Sequence, residues 1–281
     1  MPELPEVETI ARALQNGGRG GLPIPGRVIL DSDLRWERTL ATPSPSIFNK
    51  QINDQVINKI DRRGKFIQIH LTNYVLLIHL RMSGDIRVEE NNLSGQKQPL
   101  KTHDRLVLVL DQNLRVAFND TRKFGRAWLV DDPRKVTGKL GPEPLDETLT
   151  PQDFFQRLQK HRRQLKPLLM DQHFLAGLGN IYTDEALHMS HLHPLIISDQ
   201  ITPQRSELLL LSIRRVLKEG IRLNGASIDW IYRDGSFQDM CKVYQKTGNP
   251  CQTCGTTIER IHVGQRSTHF CPTCQVMITV D

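Results

Sequence analysis

Met1-Pro2-Glu3-Leu4-Pro5-Glu6-Val7-Glu8-Thr9-Ile10 opens the chain, and two readings of it compete. In the first, Pro2 and Pro5 start a helix, because proline suits first-turn positions and carboxylates there complement the helix dipole. Val7, Ile10, Ala11 and Leu14 fall at i, i+3, i+4 and i+7, the spacing of one apolar helix face. In the second, the same helix carries chemistry. An initiator Met followed by Pro is a terminus expected to lose its Met, which leaves Pro2 as a free secondary amine. An α-amino group has a pKa of roughly 7.7–8.0 against about 10.4 for lysine, so much more of it is unprotonated at neutral pH. Such an amine attacks carbonyl-like carbon, and a secondary amine can form only the cationic iminium, an electron sink. Glu3 is then the adjacent carboxylate able to move protons, with Glu6 following one helical turn later.

The rest of the chain limits the classes open to it. Its 281 residues are enough for two domains with real cores, and 38% hydrophobic content is ordinary for a globular protein. No apolar run approaches the roughly 18 residues of a membrane span, and the N-terminus lacks the hydrophobic region of a signal peptide. A cytoplasmic protein without a membrane partner is expected. Lys and Arg number 37 against 31 Asp and Glu, a net charge of +6 that leans toward a polyanion. Aromatic residues are only 6%, which argues against a broad base-stacking platform.

Along the chain, the Gly-rich stretch 16–21 with Pro23 and Pro25 should end the first helix. From about 27 to 131 short β-branched runs follow, among them 65–71, 74–80, 85–88, 105–110 and 114–118, and their spacing predicts a β-sandwich. Residues 41–45 and 90–103 read as loops. Three turns in this region hold basic or apolar side chains: Arg62-Arg63-Gly64-Lys65, His79–Gly84 with Met82, and Asn119–Gly125 with Arg122 and Phe124. Each alone is an ordinary turn. Together they offer what an enzyme needs when it extrudes a nucleotide from a duplex and fills the gap with wedging side chains.

Residues 132–150, rich in Pro, Gly and charge, predict a linker. Helical periodicity takes over beyond it, with helices expected at 151–160, 167–172 and 202–223, the last capped by Thr202 with Pro203 at the first helical position. Gly177-Leu178-Gly179-Asn180 reads as a tight turn feeding a helix N-terminus, either with Asn180 as a plain cap or with its free amides facing a phosphate. His188, His191 and His193 lack nearby Cys or carboxylate partners in sequence and do not read as a metal set.

Cys251-x2-Cys254-x16-Cys271-x2-Cys274 is the most specific motif after the N-terminus. Without a secretory signal, such close pairs favour one four-thiolate zinc over disulfides. The hairpin expected between them, 257–261 with 267–270, is too small to bury a core and depends on the metal. Arg266 projects from it, and the fifth cysteine, Cys241, is unpaired. The expected division is 1–131, 132–150, 151–240 and 241–281.

In this order the motifs resemble the formamidopyrimidine-DNA glycosylases over essentially the full length. The resemblance implies an α+β multidomain protein: an N-terminal β-sandwich with a flanking helix, then a helix-two-turn-helix module and a zinc finger. It implies a monomeric enzyme acting on damaged double-stranded DNA, with one structural zinc. Pro2 would be the nucleophile at C1′ and Glu3 the acid and base. Lys65 matches the family's RGK lysine and Arg266 the finger arginine that grips phosphates beside the lesion. Asn180 matches the phosphate-binding asparagine of the family's GNIY motif, and His103, Arg163 and Lys166 lie near further DNA-contacting positions. Met82, Arg122 and Phe124 match the wedge, with Arg122 facing the orphaned base. The implied activity is removal of oxidised purines followed by β,δ-elimination. An endonuclease VIII-like enzyme for oxidised pyrimidines shares this architecture, but Pro2–Thr9 and the Met82, Arg122, Phe124 set argue against it. A non-enzymatic zinc-finger DNA-binding protein would need no free N-terminus. One departure stands out: the stretch 227–242 looks several residues shorter than the family's base-covering loop. That shortening predicts weaker hold on 8-oxoguanine than on formamidopyrimidines, unless Trp230 or Tyr232 caps the base by stacking.

Overall fold

Alternation of buried and exposed side chains along short strands leaves one apolar face per sheet, and two such faces close on each other over the first half of the chain. The computed structural model describes residues 1–93, 96–97, 99–227 and 235–277. Residues 228–234 of the short 227–242 loop, Trp230 and Tyr232 among them, lie outside the described residues. The chain forms two compact units, Met1–Lys139 with Asn224–Gly235, and Leu140–Leu223 with Ser236–Asp281.

The first unit begins with α1 (Leu4–Asn16). It continues through β1 (Ile29–Leu34), β2 (Leu40–Thr42), α2 (Pro45–Ile52), β3 (Ile57–Arg63), β4 (Phe66–Leu71), β5 (Val75–His79) and β6 (Gly84–Glu90). A two-residue ladder, β7 (Asn92–Leu93) with β8 (Gln96–Lys97), lies in the region expected as loop. Then come β9 (Asp104–Leu110), β10 (Leu114–Asp120), β11 (Arg126–Val130) and α3 (Arg134–Thr137). One sheet has the order β1-β9-β10-β6 and the other β2-β11-β5-β4-β3, antiparallel except for the β2–β11 pair. Ile86, Leu106, Leu108, Val116 and Phe118 of the first sheet share a core with Ile60, Ile67, Ile69, Leu76 and Ile78 of the second. Val7, Ile10, Ala11 and Leu14 of α1 complete it, so the helix face read from the sequence is the face that is buried. The β-sandwich with a flanking helix is present.

The expected loop at 41–45 is corrected at its end. Pro45 takes the first helical position of α2 after Ser44, because Phe48 and Ile52, four residues apart, both sink into the sandwich core.

The second unit holds α4 (Pro151–Gln159), α5 (Leu165–Met170), α6 (Asn180–Met189) and α7 (Pro203–Arg222), followed by the hairpin β12 (Glu259–Val263) and β13 (Arg266–Phe270). Thr202 caps α7, its hydroxyl accepting from Arg205 N at 3.4 Å, and Pro203 is the first helical residue. Helix α5 starts before the expected 167, at Leu165, whose buried side chain anchors that turn. The cap of α6 is Gly179 rather than Asn180, which frees the Asn180 side chain for other contacts. Among the described residues no helix is long and apolar enough to cross a membrane.

Glycine is required where the sandwich turns tightly. A Cβ on Gly84 would sit 2.5 Å from Leu80 O and 2.8 Å from the Phe118 ring. Gly84→Ala should therefore force backbone or core to move at a cost of about 1–3 kcal/mol. A lowered melting temperature with retained far-ultraviolet dichroism is expected. Native-like melting would contradict the close packing of this turn.

Candidate functional site

In the first unit, the chain's N-terminal end is fixed by a buried carboxylate. Glu3 precedes α1 with extended backbone, and its amide donates to Glu6 Oε2 at 2.7 Å. The other oxygen of Glu6 accepts from Ala226 N, also at 2.7 Å, so one side chain bridges residue 3 and the segment after α7. Gly225 makes room for this contact: its φ is +85, and a Cβ would fall 2.6 Å from Glu6 Oε1. Both Glu3 and Glu6 are buried, while Met1 is exposed. A buried carboxylate directly after Pro2 can shuttle protons without competing water, which suits chemistry at that residue.

The three turns singled out in the sequence gather charge and apolar surface in the same unit. Gly64 and Lys65 connect β3 to β4, and Lys65 is buried. His79 ends β5, packs edge-on against Phe66 with centroids 4.8 Å apart, and accepts from Arg81 N through Nδ1 at 3.0 Å. Burial, reinforced by the Arg81 and Lys65 cations, pushes the His79 imidazole down to about 3. Met82 and Phe124 are exposed at 37% and 49%, an unusual state for large apolar side chains beside a basic turn. Arg122 lies over the Phe124 ring, its guanidinium carbon 5.0 Å from the centroid. His103, half-buried, accepts through Nδ1 from the Arg105 guanidinium at 3.2 Å.

In the second unit, α6 organises the finger. Asn180 Nδ2 and the Lys166 ammonium both donate to the Ser267 carbonyl, each at 3.0 Å. Lys166 is fully buried and paired with Asp184 at 2.6 Å, so its ammonium is committed inside the unit. The other oxygen of Asp184 accepts from His269 N at 2.9 Å. Glu185 accepts from the backbone amides of Lys242, Val243 and Tyr244 at 2.8–3.0 Å. Arg266 stands at the head of β13, exposed, one residue before the doubly held Ser267 carbonyl. Arg163 is also exposed and paired with Asp171 at 2.8 Å. Among the described residues the buried Asn180 Oδ1 has no hydrogen-bond partner.

Cys251, Cys254, Cys271 and Cys274 come together with all four sulfurs within 4.8 Å of one another. Cys251 and Cys274 Sγ are 3.9 Å apart, and Cys254 and Cys271 Sγ are 3.4 Å apart. A tetrahedral zinc with bonds of about 2.3 Å needs sulfurs roughly 3.8 Å apart, so the donor set fits the ion. Cys271 N is held by Gln275 Oε1 at 2.9 Å, and Gln275 in turn donates to Leu192 O at 3.0 Å. These contacts orient the knuckle around the thiolates. His188 Nε2 lies 3.6 Å from Cys251 Sγ, a neighbour that tertiary folding alone supplies. Cys241 is buried apart from the cluster.

Sequence reasoning passed over His79 as a titrating group, and over Ser83, Asp120, Asp184 and Glu185. The backbone partners of Ser83, Asp184 and Glu185 lie far off in the chain, while those of Asp120 lie close by. There the pattern Asn119-Asp120 before a basic turn was an available hint of a carboxylate closing its own loop.

Two outcomes follow for these groups. Because its folded pKa lies below the usual imidazole value of about 6.5, His79 supports folding fully above that pH. That support declines as pH falls from there toward the folded value of about 3. Its ring proton shifts should stay flat between about pH 7 and 5 by NMR, and a midpoint near 6.5 would refute its desolvated setting. For the finger, Cys254→Ser should lower bound zinc below one per chain by metal analysis. The first unit, with a separate core, should keep its strand signature in circular dichroism. Full zinc retention by the variant would contradict the four-thiolate assignment.

Comparison with known proteins places these features. Three family descriptions match in order: "Formamidopyrimidine-DNA glycosylase N-terminal domain" over residues 1–127, the corresponding "H2TH domain" over 140–231, and "Zinc finger found in FPG and IleRS" over 248–276. A formamidopyrimidine-DNA glycosylase of Protochlamydia amoebophila is 41% identical, the alignment covering 98% of this chain and 99% of that one. One of Chloroflexus aurantiacus is 43% identical with 98% of both chains covered. Among solved structures, a mutant Lactococcus lactis Fpg in complex with a Fapy-dG containing DNA superposes with a TM-score of 0.88 at 34% identity, over 98% of this chain and 99% of that one. A MutM complex with carbocyclic 8-oxo-G containing DNA gives the same TM-score, 0.88, at 35% identity and the same coverage, 98% and 99%. The α+β fold with its zinc finger, the four-thiolate zinc centre and the full-length similarity agree: the chain belongs to the formamidopyrimidine-DNA glycosylase family.

Proposed function

We propose that this chain is a bifunctional base-excision repair enzyme of the cytoplasm, removing oxidised purines from duplex DNA and cutting the strand at the vacated sugar. The observation that carries the reading is the match, in order and over nearly the whole chain, to glycosylases whose solved complexes contain Fapy-dG, abasic-site and 8-oxo-G DNA. The buried Glu3 carboxylate next to Pro2 supports it from the chain's own geometry.

In this reading the Pro2 amine, free once Met1 is removed, forms a bond to C1′ as the bond to the damaged base breaks. The base leaves with that electron pair and is protonated. Glu3 donates the proton that O4′ takes when the sugar ring opens, which leaves Pro2 as an iminium. The iminium acidifies the C2′ protons; loss of one expels the 3′ phosphate, and a second elimination expels the 5′ phosphate. Lys65 serves proton transfer and phosphate contact during these steps. Met82 and Phe124 enter the base stack while Arg122 faces the orphaned base, an exchange that offsets the unstacking cost of a few kcal/mol. Arg266 and Asn180 hold phosphates, assisted by His103 and Arg163. Lys166 supports Arg266 within the second unit, by fixing the neighbouring Ser267 carbonyl. Zinc stabilises the finger; four thiolates leave it no open position for catalysis.

Borohydride reduction on DNA with an abasic site is the direct test, because it converts the iminium to a stable amine link. The processed protein should be trapped through its N-terminal residue. A form that retains Met1, or carries an uncleaved N-terminal tag, should lose at least about tenfold in trapping while DNA affinity changes little. Equal trapping by the blocked form would exclude Pro2 as the nucleophile.

A further inference from the structure

Wedging side chains discriminate between opposite bases only if they cannot retreat from the wrong one, so the support behind them matters as much as their identity. The loop carrying Arg122 and Phe124 is held at its base by one carboxylate. Asp120, the last residue of β10, is buried. Its Oδ1 accepts from the Ser83 hydroxyl and from Arg122 N, the latter at 3.2 Å, and Oδ2 accepts from Gly125 N at 2.7 Å. Arg122 N is shared with Ser83 Oγ at 3.0 Å. The backbone of Asp120 is fixed as well, its amide donating to His103 O at 2.9 Å and its carbonyl accepting from Arg105 Nε at 2.8 Å.

These bonds join two turns that the sequence separates by almost forty residues, the 80–84 turn with Met82 and the 121–125 loop with Arg122 and Phe124. Phe118 fills the space beneath both. A Cβ on Gly125 would meet its ring at 2.3 Å, and one on Gly84 would meet it at 2.8 Å. At the loop's exposed tip Lys123 adopts a left-handed conformation, φ 61. Its ammonium rests 4.1 Å from the centroid of the Trp36 ring. The loop is thus pinned at its base by hydrogen bonds and at its tip by a cation–π contact, with Arg122 between the two.

We infer that Asp120 and Ser83, with Trp36 as outer support, are positioning residues that set opposite-base discrimination by locking Met82, Arg122 and Phe124 into one rigid wedge. This rests on the proposed glycosylase activity. With the clamp intact, Arg122 is committed to one geometry and rejects a mismatched partner. Without it, Arg122 N and Gly125 N lose buried acceptors, the loop samples other conformers, and Arg122 backs away from adenine as readily as it meets cytosine.

The experiment compares single-turnover excision of a formamidopyrimidine opposite cytosine and opposite adenine for the native protein and Ser83→Ala, Asp120→Ala, Trp36→Leu and Trp36→Phe. Borohydride trapping on single-stranded abasic DNA is the control, since that chemistry needs no wedge. Ser83→Ala and Asp120→Ala should reduce the cytosine-to-adenine rate ratio about tenfold, equivalent to roughly 1.4 kcal/mol, with single-strand trapping unchanged. Trp36→Leu should lower the ratio less, and Trp36→Phe, which keeps a ring face, should restore it. If Asp120→Ala does not fold, Ser83→Ala decides the matter, because it removes only one hydroxyl. A native ratio in folded Ser83→Ala and Trp36→Leu, with trapping intact, would overturn the clamp while leaving the glycosylase reading standing. Failure of the native protein to trap at all would overturn that reading, and the clamp with it.

Discussion

Backbone amides in tight turns must find acceptors once water is excluded, and buried carboxylates supply them throughout this molecule. Glu6 accepts from Glu3 N and Ala226 N, Asp120 from Arg122 N and Gly125 N, Asp184 from His269 N, and Glu185 from three consecutive amides starting at Lys242. Each oxygen replaces water that the turn would otherwise need. A buried charge with several amide donors tolerates burial far better than one without. Each also sits beside a residue proposed to act on DNA. Glu6 lies behind Pro2 and Glu3, Asp120 behind the wedge, and Asp184 and Glu185 behind the finger that presents Arg266.

The paired groups show how far this logic extends into the interior. Lys166 and Asp184 are both fully buried, and the ammonium meets this carboxylate and the Ser267 carbonyl. Removing either partner of such a pair leaves an uncompensated charge, typically at about 3–5 kcal/mol. Arg87, Asp104 and Asn119 form a comparable group in the sandwich. There, burial works to raise the Asp104 carboxyl, but hydrogen bonds from Arg87 and Asn119 hold it below the usual carboxylate range. Both groups fix where turns leave the sheets or helices. That placement is what a site assembled from loops requires, because the loops themselves have little apolar surface to pack.

The two cores divide the labour differently. In the sandwich, burial of apolar faces from both sheets and α1 carries the fold, and the exposed Met82 and Phe124 project from turns at its edge. In the finger the apolar cluster is small, Val243 and Ile258 with the cysteines, so the zinc supplies what a core of that size cannot. Arg266 is therefore placed by metal binding and by the two donors to the Ser267 carbonyl acting together.

Local pattern was enough wherever the deciding interaction lies close in sequence. The buried face of α1 at Val7, Ile10, Ala11 and Leu14 is a periodicity, the start of α7 at Thr202-Pro203 is a cap, and the cysteine spacing is a ligand set. All three are properties of a few neighbouring residues, and all three were legible. The resemblance of the N-terminal stretch extended that reading to a family and to candidate roles. Other features were settled only by the tertiary structure. Pro45 begins a helix rather than sitting in a loop because Phe48 and Ile52 find the sandwich core, which no local rule announces. Gly179 displaces Asn180 from the cap of α6, and the asparagine side chain reaches instead to a carbonyl 87 residues away. Lys166 looks like any basic surface residue in the sequence, yet its charge is spent entirely inside the protein. The physical reason is common to these cases: propensity and spacing are set by the chain's own neighbours, whereas burial and hydrogen-bond partners depend on what distant segments bring to the same place.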